Sequence, residues 1–395
     1  HARPACFTAH FFYDAVMKII FGQPSYVLSN QQVSAAVTQT GGHLAPVSFR
    51  VAGKTISPLA ISPWWNEKSP AGTLPLIRVL RGDFFCLPFG GNAMPYRGEQ
   101  HPGHGETANA HWRFESLSHT GTDTTLHLSL RTRIRAGRVD KRITLRAGQT
   151  ALYQEHIISG MTGPMNPGHH ATLQFPDRPG AGRVSTSACV HRQVYIEPVG
   201  VPEQQAYSLL KPGAVFRNLR AVPTNTGTTA DLSQYPARRG FEDIAILVAD
   251  PKLKFAWSAV AFPEEGYVWF TLRDPRVLPA TLLWMSNGGR YSAPWNGRHK
   301  NVMGVEDVTG FFHTGLAGSA KSNALSKRGI TTCHKLRLDQ PFAVRYIMAV
   351  VAIPRRFERV KNINITPDKV TLVGERGVKV STSLDSEFVR QTAAA

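Results

Sequence analysis

Hydrophobic and polar residues alternate from Leu126 onward. Leu126, Leu128, Leu130 and Ile134 share one side of an extended chain, and Thr125, Ser129, Arg131, Arg133 and Arg135 take the other. A period of two marks a half-buried strand. Ile143 and Leu145 resume the pattern after Gly137, which predicts a hairpin. Further strands are predicted over 151–158, 243–249, 254–262, 267–273, 281–286 and 342–353, with a last hairpin of Val370–Val373 and Val378–Val380 around Gly374. Helical pattern is scarce, and its clearest stretch is 203–210. No long amphipathic helix separates successive strands, so a parallel sheet with helical crossovers is excluded and antiparallel sheets in a sandwich or barrel are expected. No fixed-period repeat points to a propeller. The stretches 160–182 and 211–240, rich in Gly, Pro, Thr and Asn, read as long loops.

Composition agrees with this class. In 395 residues there are 34 Gly and 27 Pro, hydrophobic residues make up 42% and charged residues 18%, which excludes a disordered chain and a coiled coil. No apolar run is long enough for a transmembrane helix. The net charge of +18 invites an anionic partner. Its basic residues are dispersed, however, and the basic stretch Arg131–Arg142 has no stacking aromatics beside it, so it reads as a solvated sheet face and nucleic acid is not expected. Cys6, Cys86, Cys189 and Cys333 form no C-x-x-C pair and read as free thiols of a reducing compartment. Residues 1–16 lack the features of a signal peptide and precede a plausible start at Met17, so they read as an upstream extension or incomplete leader. One domain over 17–390, a frayed tail at 391–395 and a cytoplasmic location are expected, with export through a trimmed leader as the alternative.

Three clusters carry candidate chemistry. His101, His104, Glu106 and His111 lie close together, but Pro102 and Gly103 suggest a loop and not a strand presenting metal ligands, and no metal is expected. His169 and His170 are adjacent, so on an extended chain they point to opposite faces and at most one serves a given site. Glu306 and Asp307 follow the apolar Val302–Val305 and the loop Trp295–Asn301, a setting that suits a general base. No nucleophile elbow or phosphate-binding loop is present.

Taken in chain order, the clusters resemble the galactose mutarotase-like superfamily, the aldose 1-epimerases, and within it the hexose-6-phosphate 1-epimerases. Arg81-Gly82-Asp83-Phe84-Phe85-Cys86-Leu87-Pro88-Phe89-Gly90 is similar to an early family segment, His104-Gly105 with Trp112 reproduces a His-Gly…Trp spacing, and His170 and Glu306 fall where the family has its second histidine and its glutamate. The likeness spans roughly 40–355. Ala108 replaces a family arginine, Gly82 stands where the family has two glycines, and His169-His170-Ala171-Thr172-Leu173 departs from Asn-His-x-Tyr-Phe.

The resemblance implies an all-β chain, a large antiparallel β-supersandwich with a carbohydrate cleft on one sheet. It implies an aldose 1-epimerase, a mutarotase interconverting the anomers of a hexose or hexose phosphate by ring opening, without cofactor. Glu306 would be the base and His170 the acid, acting from the other side of the sugar. His104, Arg81, Trp112, Trp295 and His169 would bind substrate. Two alternatives stand beside it: a non-catalytic carbohydrate-binding protein of the same fold, and an enzyme acting on an anionic glycan. The expected partner is a small sugar or sugar phosphate, with no membrane insertion.

Overall fold

The computed structural model describes residues 17–391; the expectations for residues 1–16, Cys6 and the last four residues lie outside it. Strands and bridges occupy 48% of the described residues and helices 7%. Every ladder between named strands is antiparallel.

Two large sheets face each other. The first has nine strands, with Tyr267–Arg273, Phe342–Ala352 and Ala151–Ser159 at its centre and the predicted hairpin Asp123–Thr132 and Gly137–Arg146 towards one edge. The second has six strands: Cys189–Val194, Phe241–Ala249, Ala280–Asn287, Val302–Val308, Gly168–Gln174 and Phe85–Cys86. A five-stranded meander over Lys18–Ile56, a three-stranded sheet over Val360–Ser383 and two two-stranded ribbons, Gly163–Met165 with His334–Leu336 and Val222–Pro223 with Thr229–Ala230, accompany them.

The six-stranded sheet is covered on both faces. Ala245, Leu283, Met303, Val305, Ala171 and Leu173 pack inward in the main core. Ile244, Ile246, Leu282 and Trp284 point the other way into a second apolar cluster with Trp64, Leu76, Leu80 and Trp295. Strands buried on both faces lose polar alternation, as these do. The short helix Pro75–Val79 opens on Pro75 at its first turn and supplies Leu76 to that outer cluster.

Three local expectations are corrected. The stretch 203–210 is no helix: Pro202–Gln204 makes one 3₁₀ turn, Gln205 turns left-handed, and Tyr207 N–H donates to Gly289 instead. The stretch 160–182 is not one loop, because Gly168–Gln174 is a strand within the six-stranded sheet. The basic stretch forms no ladder of arginines: the turn falls between Thr132 and Gly137, and Arg135 pairs with Glu99 at 2.6 Å. Cys86, Cys189 and Cys333 are free thiols. No described helix is long and apolar enough to cross a membrane.

Candidate functional site

A cavity of about 230 Å³ opens on the outer face of the six-stranded sheet. One edge of it is set by strand register. His170 is the cross-strand partner of Glu306, and His170 Nε2 lies 3.2 Å from Glu306 Oε1. His170 Nδ1 meets Thr172 Oγ1 at 3.2 Å, and Phe84 stacks on the imidazole at 4.4 Å. Gly304 is two residues before Glu306 and therefore on the same face. A Cβ there would sit 2.5 Å from Glu306 Oε1, so the bare glycine leaves room for the carboxyl to lie over the strand.

His104 reaches the cavity from a turn. Its φ of +59° and that of Gly105, +77°, are both left-handed. A side chain at Gly105 would collide with the Leu87 carbonyl, which is the physical content of the His-Gly pair. Cys86 Sγ lies 3.4 Å from His104 Nδ1, and His313 Nε2 lies 3.3 Å from His104 Nε2. The Cys86 thiol also faces the Phe84 carbonyl at 3.8 Å. Arg290 lies above the Trp295 ring at 4.8 Å, 3.8 Å from Glu242 Oε2.

Burial dominates the electrostatics. It pushes Glu306 well above the ordinary carboxylate range. It pushes His170 down to about 3, with His313 adding to the depression, and His313 down to about 4, with Arg290 adding to it. His104 is also well below its usual value, first through burial and then through its histidine neighbours. A site that disfavours charge on both Glu306 and His170 holds one proton between them. No group of described residues is arranged to hold a metal ion.

No family model matches the chain, and no curated protein matches it in sequence. Solved structures do match. A galactose mutarotase-like protein from Clostridium acetobutylicum aligns at a TM-score of 0.55 and 11% identity, covering 85% of this chain and 98% of that one. A galactose mutarotase related enzyme from Lactobacillus acidophilus aligns at 0.52 and 12% identity over 84% and 98%. A protein from Synechocystis sp. PCC 6803 aligns at 0.56 and 14% identity over 84% and 96%. The chain has the galactose mutarotase-like fold.

On this fold the sequence-predicted residues separate into two groups. His104, His170, Glu306 and Trp295 line the one cavity. Arg81, Trp112 and His169 do not. Arg81 is fully enclosed, and its fork donates to the backbone carbonyls of Val79, Ile20 and Phe21 at 3.0 Å each. Trp112 is 1% exposed and donates to the Thr107 carbonyl at 2.9 Å. His169 points through the sheet to Asp83 Oδ2, at 2.9 Å. The cluster around His104 also disperses: His101 pairs with Glu99, and Glu106 accepts from the Arg133 and Ile134 amides.

Sequence reading missed Phe84, Trp284, Arg290 and His313, which line the cavity with the others. Phe84 lay within the matched early segment. Trp284 is in the predicted strand 281–286, where its outward direction follows from the register with Gly304. Arg290 and His313 stand in irregular segments and carried no signal.

Proposed function

We propose that this pocket interconverts the anomers of a hexose or hexose phosphate, as an aldose 1-epimerase-like isomerase. The observation that carries the reading is the His170–Glu306 contact of 3.2 Å at the wall of the pocket. Mutarotation requires one group to take the proton from the C1 hydroxyl and another to give one to the ring oxygen. Both oxygens are bonded to C1, so two adjacent groups can serve both. On this proposal His170 acts beside Glu306, from the same side of the sugar and not from the opposite one.

Burial favours the neutral form of the pair, with its single proton on Glu306; the reaction runs from the ion-paired form, in which that proton has crossed the 3.2 Å contact to His170 and Glu306 is the carboxylate. Glu306 accepts the C1 hydroxyl proton as His170 protonates the ring oxygen, the bond from C1 to the ring oxygen breaks, and a carbonyl forms at C1. Rotation about C1–C2 presents the other carbonyl face. The C5 hydroxyl then attacks C1, returning its proton to His170, while Glu306 protonates the carbonyl oxygen. One proton is taken and one returned in each half, so the pair ends as it began. These steps are proton transfers and need no redox or electrophilic cofactor. His104 and His313 flank the pair, and Trp295 offers a flat apolar wall for the sugar's C–H groups.

The test is exchange of anomeric protons between the α and β forms of glucose and glucose 6-phosphate, followed by NMR above the spontaneous rate. Exchange raised in proportion to protein concentration supports the proposal. Binding without exchange replaces it with a carbohydrate-binding role.

A further inference from the structure

The polar atoms of the pocket are few, and several are already committed. Trp284 Nε1 donates to Glu242 at 3.0 Å. The Nδ1 atoms of His170 and His104 face Thr172 and Cys86. What a ligand can engage is the Glu306 carboxyl with His170 Nε2 beside it, the Nε2 atoms of His104 and His313, which face each other, Arg290, and the backbone at Gly91 and Gly103. The other walls are apolar: Phe84, Trp284 and Trp295 are aromatic, and of the aliphatic residues Leu76 and Leu80 are buried, Ile77 is half-buried, Leu74 stands at 42% exposure, and Ile244 rises from the sheet.

A hexopyranose carries a hydroxyl on nearly every carbon. On the reading proposed above, the C1 hydroxyl and ring oxygen engage Glu306 and His170. Arg290 and the other histidines serve the hydroxyls within their reach. A hydroxyl turned toward Leu76, Ile77, Leu80 or Ile244 loses water and finds no replacement, a penalty of about tenfold or more in affinity. A hydrogen or methyl group in the same place gains contact. We infer that the preferred substrate is a deoxyhexose, a reducing hexose lacking a hydroxyl at a position other than C1. The inference rests on the pocket being a sugar site and goes beyond it in naming the sugar class.

The experiment compares glucose with its 2-deoxy, 4-deoxy and 6-deoxy analogues on the full chain, by calorimetric binding and separately by anomer exchange. At least one analogue should bind tenfold or more tightly than glucose. Ile77→Asn should shrink that ratio several-fold, and Leu74→Asn, at a more exposed position, serves if Ile77→Asn does not fold. Exchange in which glucose equals or exceeds all three analogues overturns the inference and keeps the epimerase reading. Tighter binding of an analogue without exchange keeps the deoxyhexose as the preferred ligand and overturns that reading. No binding of any of the four sugars overturns both.

Discussion

His170 and Glu306 face each other across adjacent antiparallel strands, and His169 and Asp307 form the next pair along, pointing to the opposite side of the sheet. The first pair meets the pocket. The second enters a polar layer between the two large sheets, where Asp307 Oδ1 lies 2.7 Å from Arg273 Nη1 and accepts from Ser258 and Thr281. One residue of chain thus separates the proposed base from a structural carboxylate.

That separation makes Asp307 a stability residue. Asp307→Ala leaves Arg273, 1% exposed, without its counter-charge. Breaking such a buried pair costs about 3–5 kcal/mol. Denaturant unfolding should show a loss of that order, and wild-type stability in the variant would contradict the assignment.

The proton shared by His170 and Glu306 sets the pH dependence. At their ordinary values of 6.5 and 4.5 the pair would hold one proton only between those limits. Burial moves the histidine limit down to about 3 and the glutamate limit well up, so the two limits exchange places and the singly protonated window extends below pH 4.5. Anomer exchange, corrected for buffer catalysis, should remain near its maximum at pH 4. A bell confined between pH 4.5 and 6.5 would show a solvated pair.

Gly304 is expected to act through Glu306. In Gly304→Ala the new methyl group meets the end of the Glu306 side chain, which can rotate away. The protein should fold with an unchanged circular dichroism spectrum and lose about tenfold or more in exchange rate, since small misplacements of a reacting group are costly. Full activity in Gly304→Ala would mean that the carboxyl does not need that position.

His43 supplies a pH-linked term to stability. Burial pushes it down to about 3, where it stacks on Phe84 at 4.2 Å and meets the Ala108 carbonyl at 3.2 Å. The folded value is below the unfolded 6.5, so the contribution of the neutral ring is present above 6.5 and lost as pH falls toward 3. Between pH 7 and 5.5 the wild type should lose about 1 kcal/mol more unfolding free energy than His43→Gln. Parallel pH dependence of the two proteins would contradict this.

The hairpin Asp123–Arg146 was legible because one face is buried and the other polar. The six-stranded sheet was less so, since Phe241–Ala249 and Val302–Val308 are covered on both faces and their apolar runs carry no period. The opposed faces of His169 and His170 follow from the strand alternation alone. Which of them meets the cavity depends on register with Glu306, a tertiary fact. Arg81 was misplaced because a fork of donors that suits sugar hydroxyls suits backbone carbonyls equally well. His313 and Arg290 were invisible, as nothing in their local sequence says which turn brings them to His104 and Trp295.

The most direct measurement is anomer exchange in Glu306→Gln, with sugar affinity measured in parallel. Glutamine keeps the size and hydrogen bonding of the side chain but cannot take up the C1 hydroxyl proton. Exchange should slow by about 100-fold or more, the ordinary contribution of a general base, while affinity stays within a few-fold. His170→Asn should cost a comparable factor, and the double variant less than the product of the two. Near-normal exchange by a folded Glu306→Gln protein would remove the His170–Glu306 pair from the chemistry and contradict the account.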